Sequence, residues 1–190
     1  MKQGQIATSS SRILRRAFIG IAVWAGSASI ALPASVRARP NESASPLTLA
    51  MSLEAVDEAV RVCGDKNYKV TVTVVDPDGI IKAQVRGDGS PIHSQRFSFR
   101  KAYTIVSMGP MFGVDTSSAL VKFLGTYPSG ISNVAGGTTD LLFVPGAVLI
   151  KSGNDTIGSI GVSGAPQSME DEACAEAALA KIQPRLGRTE

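Results

Sequence analysis

Apolar side chains recur along the chain with two periods, and each switch between them marks an element. Leu49, Leu53, Val56, Val60 and Cys63 share one helical stripe, with Thr48 placed as N-cap and Gly64 as the stop. From Val70 to Val75 the period becomes two, with valines on one face and threonines on the other, as in a strand. In Asp76-Pro77-Asp78-Gly79, proline presets the first central φ of a turn and glycine tolerates the positive one. Ile80 to Arg86 returns as the second hairpin strand. After a loop over Gly87 to Pro91, Ser94 to Met108 predicts a helix with Phe97, Lys101, Ile105 and Met108 on one side, ended by Gly109-Pro110. A short helix follows from about Thr116 to Leu124, stopped at Tyr127-Pro128. Strands are predicted over Leu141 to Val144, Val148 to Lys151 and Thr156 to Ser163, the last two joined at Gly153-Asn154-Asp155. The closing helix, Ser168 to Gln183, begins with Ser168-x-x-Asp171, close to a capping box. Its Ala173, Ala177 and Ala180 form a narrow face suited to close packing on the glycine-bearing strand.

This order predicts one α+β domain over residues 47–184, a mostly antiparallel sheet flanked by helices, with a leader at 39–46 and a tail at 185–190. Gly158 and Gly161 in the last strand, with Gly164 just past its end, are not explained by sheet propensity, because interior glycines weaken a strand. They make sense where a backbone, a helix or a flat ligand lies close to the sheet.

Charge changes the picture once its distribution is considered. The formal charge is +3, yet residues 1–38 hold five of the nineteen basic residues and no acid, so the remainder is mildly acidic at −2. With no Lys/Arg cluster outside that stretch, the chain lacks the electrostatic footprint of a nucleic-acid-binding protein. Residues 1–38 read as an export signal, basic positions preceding the apolar run Ala17 to Ala34. Gly20, Gly26 and Pro33 break that run, so no stable membrane span is expected after cleavage at Ala38 or Ala34. Arg15-Arg16-Ala17-Phe18-Ile19 resembles a twin-arginine signal, and a periplasmic or secreted location is expected. An oxidising compartment permits a Cys63–Cys174 disulfide, while two buried thiols are the alternative.

Candidate chemistry is narrowed by what is missing. There is no G-x-S-x-G, H-E-x-x-H, C-x-x-C or Walker loop, and His93 is the only imidazole. A three-histidine zinc site within one chain is therefore excluded. No catalytic residue is assigned.

Three blocks carry a resemblance. Val74-Val75-Asp76-Pro77-Asp78-Gly79, Arg100-Lys101-Ala102-Tyr103-Thr104, and Ile157 to Ala165 followed by Asp171-Glu172-Ala173-Cys174-Ala175 resemble, in this order, the GlcG/HbpS-like family. The resemblance implies a profilin-like or PAS-like sandwich, a homo-oligomer, and an exported haem-binding protein. Haem sequestration, oxidative-stress protection or haem-linked signalling are the roles it implies. Non-covalent haem needs an apolar slot, an axial ligand and a group near its propionates. The resemblance places Thr116 at the iron, although the same residue is a natural helix N-cap. His93 is the chemically obvious alternative ligand, or else an exposed loop histidine. Arg100 and Lys101 are candidates for the propionates, or else exposed helix charges, and Tyr103 belongs to the same helix. The aromatic and methionine side chains from Phe97 to Phe123 either line the slot or form the core of two packed helices. The rival reading is an enzyme or enzyme accessory for a small organic acid or another tetrapyrrole such as a corrinoid. Ala147 and Leu149 depart from the family pattern, where many members carry glycine and proline.

Overall fold

The valine–threonine alternation of Thr71–Val75 (β1) forms a central strand of a four-stranded antiparallel sheet. The computed structural model describes residues 47–126 and 139–186. The export signal and leader expected over residues 1–46 lie outside the described residues, as does Tyr127-Pro128. Elements run α1 (Leu49–Gly64), β1, β2 (Ile81–Arg86), α2 (Ser94–Phe112), α3 (Ser117–Leu124), β3 (Ala147–Ser152), β4 (Asp155–Ser163) and α4 (Ser168–Ile182). A 3-10 turn at Gln183–Arg185 follows α4. The strand order is β2-β1-β4-β3, so the predicted α+β antiparallel sandwich is observed.

One face of the sheet presents Val72, Val74, Val148, Ile150, Ile160 and Val162 to α1 and α4. There Cys63 of α1 is bonded to Cys174 of α4, with Cα atoms 5.8 Å apart, so the disulfide reading holds. Closing a loop over 111 positions stabilises by about 4–5 kcal/mol in the chain-entropy account. The other face meets α2, where Val75, Ala102, Ile105, Ala147 and Leu149 form a second apolar cluster and the remaining contacts are polar. Thr71 and Thr73 exchange hydroxyl hydrogen bonds with Ser94 and Ser98 at 2.7 and 2.8 Å, and Ser159 Oγ donates to the Ala102 carbonyl at 2.8 Å. Small side chains here let the α2 backbone approach the sheet. At Gly161 a Cβ would stand 2.2 Å from the Ser98 carbonyl oxygen and 2.7 Å from the Ala102 nitrogen.

Four details differ from the sequence expectation. The helix lying against the glycine strand at Gly161 is α2; α4 buries Asp171, Glu172, Cys174, Ala175 and Ala178, and leaves Ala180 exposed. Secondly, α2 continues through Pro110 to Phe112, because a proline in the last turn forfeits a single helical bond, and Gly113 in the left-handed conformation closes it. Residues 141–144 form no strand. Their backbone groups go to side chains instead, Leu142 N–H to Thr104 Oγ1 and the Leu141 carbonyl to Arg100 Nη2. Lastly, the capping pair of α4 sits one residue early, with Glu170 accepting from the Gln167 N–H, which releases Asp171 for another partner. Ala147 and Leu149 pack against α2 within β3, whose pairing with β4 keeps register from Ala147 to Ile150 and shifts only between Ile150 and Lys151.

That partner is Lys101 of α2, on the opposite side of the sheet. Its ammonium passes the sheet end beside Gly146 and donates to Asp171 Oδ2 at 2.7 Å, with both residues 2% exposed. Asp171 Oδ1 accepts the Ala165 N–H at 2.9 Å. Gly146 (φ +124) is required here, since a Cβ would stand 2.6 Å from Lys101 Nζ. Burial lowers the Lys101 pKa and raises that of Asp171, and their mutual attraction opposes both shifts. The pair thus clamps the two helix layers around the sheet end.

Two expectations test this packing. Gly161→Ala should lower unfolding free energy by about 3 kcal/mol, the upper range for overpacking. Gly64→Ala, where an added methyl meets nothing within 4 Å, should cost nothing; urea midpoints at unchanged slope decide. For the clamp, Lys101→Met or Asp171→Leu alone should cost about 3–5 kcal/mol, and the two together much less. A carboxyl whose pKa is raised by folding loses stabilisation as pH rises from its ordinary 3.8 through the folded value. A lysine whose pKa is lowered regains stabilisation only as pH rises from that lowered value toward 10.5. The parent should therefore lose stability relative to the double variant as pH rises from 3.8. A parent that gains over that window contradicts the clamp's electrostatics.

Candidate functional site

The chain leaving α2 turns back along the free edge of β3. Gly113 ends the helix, Val114 N–H bonds to the Gly109 carbonyl, and the Asp115 carbonyl accepts the Leu149 N–H at 2.8 Å. Thr116 then makes an isolated antiparallel bridge to Val148 before capping α3, with its Oγ1 accepting the Ala119 N–H at 3.2 Å. The capping role read from the sequence is thus present. Thr116 Oγ1 also shares a hydrogen bond with Ser118 Oγ at 2.9 Å. A threonine oxygen has two lone pairs. If Thr116 donates its proton to Ser118, one lone pair serves the cap and the other stays available.

Thr116 opens onto a cleft of about 260 Å³ between β3 and α4. Asp115, Lys151, Glu176, Leu179 and Gln183 line it with Thr116, along the β3 backbone at Val148 and Leu149. Lys151 is the cation among these residues; its Nζ donates to both Asp115 oxygens, at 2.9 and 3.3 Å. Lys151 and Asp115 are partly exposed, so this ion pair contributes little stability and exchanges readily.

The other sequence candidates lie elsewhere. His93 is exposed at the start of α2, with its ring tilted against Phe97 at 5.2 Å. Thr116 follows the opposite end of that helix, and 19 residues at 1.5 Å each span about 28 Å. One iron cannot be served by both within a single chain. Lys101, read as a propionate partner or an exposed charge, is neither: it is buried against Asp171. Arg100 donates to the Leu141 carbonyl at 2.5 Å and lies 5.9 Å over the Phe97 ring. Tyr103 packs over Gly79 and against Phe99, ring centroids 5.7 Å apart. Among the described residues no group of three His, Cys, Asp or Glu side chains is placed to hold a metal ion. No described helix is long and apolar enough to cross a membrane.

The sequence reading passed over Lys151, Glu176 and above all Glu172. The Glu172 Oε2 accepts from Ser117 Oγ, the Ser118 N–H and the Gly146 N–H at 3.0, 2.9 and 3.0 Å. A signal was present. Asp171, Cys174, Ala175, Ala178 and Ile182 are spaced as one helical stripe, and Glu172, three residues before Ala175, stands at its edge and is buried with it.

Comparison with known proteins agrees with this architecture. The crystal structure of HbpS is 31% identical, with a TM-score of 0.63, covering 72% of this chain and 89% of that one. A double-mutant HbpS from Streptomyces reticuli is 30% identical at a TM-score of 0.67, covering 80% and 97%. The haem complex of PduOC shares the fold at 19% identity and a TM-score of 0.63, covering 70% and 93%. No curated protein sequence matches significantly. Residues 47–180 match the family described as haem degrading protein HbpS-like, and the chain belongs to that family.

Proposed function

We propose that this protein binds haem non-covalently at the Thr116 cleft, as an exported homo-oligomer acting in haem sequestration, oxidative-stress protection or haem-linked signalling. Membership of the HbpS-like family carries the reading, together with the identity to HbpS. The fold-sharing PduOC structure holds haem, which agrees with a tetrapyrrole ligand. Export rests on Arg15-Arg16 and the broken apolar run after it, and the Cys63–Cys174 disulfide suits an oxidising compartment.

The residues around the cleft fit haem in chemistry. Thr116 would offer a hydroxyl oxygen for the iron, Lys151 a cation for a propionate, and Val148 and Leu179 an apolar lining. Bound haem would supply the redox-active iron. At about 260 Å³ the cleft falls below the usual range of about 300–1,000 Å³ for sites that enclose a ligand, so within one chain it would cover only part of a haem. Lys151 would meet a propionate by leaving Asp115, an exchange of one carboxylate for another that costs little at a partly exposed site. Lys101 is committed to Asp171, and neither it nor Arg100 lines this cleft.

Haemin titration of the mature chain tests this. The parent should develop a Soret band, and Thr116→Ala should shift its maximum and weaken binding. His93→Ala should keep the parental spectrum and affinity. Following the band over time with a reductant separates binding from degradation, the activity named in the family description. Absence of a Soret change in the parent would overturn the haem assignment, and an unaltered Thr116→Ala would remove the site.

A further inference from the structure

The cleft residues do not explain why a carboxylate is buried behind them. Glu172 is 2% exposed and is absent from the cleft lining, so it does not meet a ligand there. Its single oxygen Oε2 gathers donors from two separate segments: the first turn of α3, through Ser117 and Ser118, and the entry to β3, through Gly146. Thr116 is held between those segments. Its backbone runs directly into Ser117 and bridges to Val148, two positions after Gly146. Ser117 Oγ ties the segments together again by accepting the Ala147 N–H at 2.8 Å. The helix that carries Glu172 also supplies Glu176 and Leu179, with Gln183 at its end, as the cleft's far wall. One helix therefore presents that wall and grips the Thr116 segment from behind.

We propose that Glu172 is a positioning residue for the haem site, fixing the Thr116 hydroxyl relative to the α4 wall. This rests on the haem reading above. Three convergent hydrogen bonds to one buried oxygen restrict its motion far more than apolar packing would, because each has a preferred direction as well as a distance. Supporting groups of this kind set metal-ligand geometry without touching the metal.

The test compares haemin binding by the parent, Glu172→Ala, Glu172→Gln and Val56→Ala. Val56 is buried under α1, away from α3, and serves as a control for lost stability alone. Glu172→Ala should weaken haemin binding by about tenfold or more and displace the Soret maximum. Glu172→Gln keeps an acceptor oxygen and should recover most of both. Val56→Ala should lose stability yet retain the parental spectrum and affinity. Where Glu172→Ala does not fold, Ser117→Ala takes its place with the same expected result, since it removes one of the three donors. Parental binding in the Glu172 or Ser117 variants, or an equal loss in Val56→Ala, overturns the assignment. A parent without any Soret change defeats the haem reading itself, and this assignment with it.

Discussion

The ion pair between Lys101 and Asp171 joins two helices on opposite faces of one sheet, which is possible only where the sheet ends. It uses the gap at Gly146, where β3 begins and a side chain would collide with the ammonium. Taking both charges out of water opposes folding, as the directions of their pKa shifts record. What the pair supplies is register. With Asp171 fixed, the first turn of α4 is fixed, and Glu172 beside it meets α3 and the start of β3 together. The cleft wall and the Thr116 segment thus inherit their relation from a buried charge pair about a turn away.

The rest of the architecture complements that clamp. On one face the disulfide and an aliphatic core hold α1 and α4. On the other, α2 sits close enough that its backbone touches Gly161, and the Thr–Ser hydroxyl pairs satisfy the polar groups this proximity buries. Lys101 follows Ser98 by three residues and precedes Ala102, so the close packing of α2 also delivers its ammonium to the sheet end.

The fold class, most elements and the hairpin were legible in the sequence because each rested on a period or a turn with a local cause. Thr48 and Thr116 cap helices as their side chains suggest. The misjudged features had non-local causes. Residues 141–144 read as a strand by composition, but Thr104 and Arg100, distant in sequence, claim their backbone groups. Lys101 read as a propionate partner or a surface charge because its true partner lies 70 residues away across the sheet. The glycines signalled a close approach without saying which helix makes it. At the site, Thr116 came from family resemblance, whereas Lys151 and Glu172 needed the fold, since β3, α3 and α4 meet only in three dimensions.

In the proposed complex the tetrapyrrole sits between the Thr116 segment and α4. Amide chemical-shift mapping with gallium(III) protoporphyrin IX, a diamagnetic stand-in for haem, tests it most directly. The largest changes should fall at Asp115–Ser118, Val148–Lys151 and Glu176–Gln183, with Ile92–Phe97 unmoved. Largest changes around His93 or at the Gly79–Tyr103 contact, with the Thr116 segment silent, would contradict it.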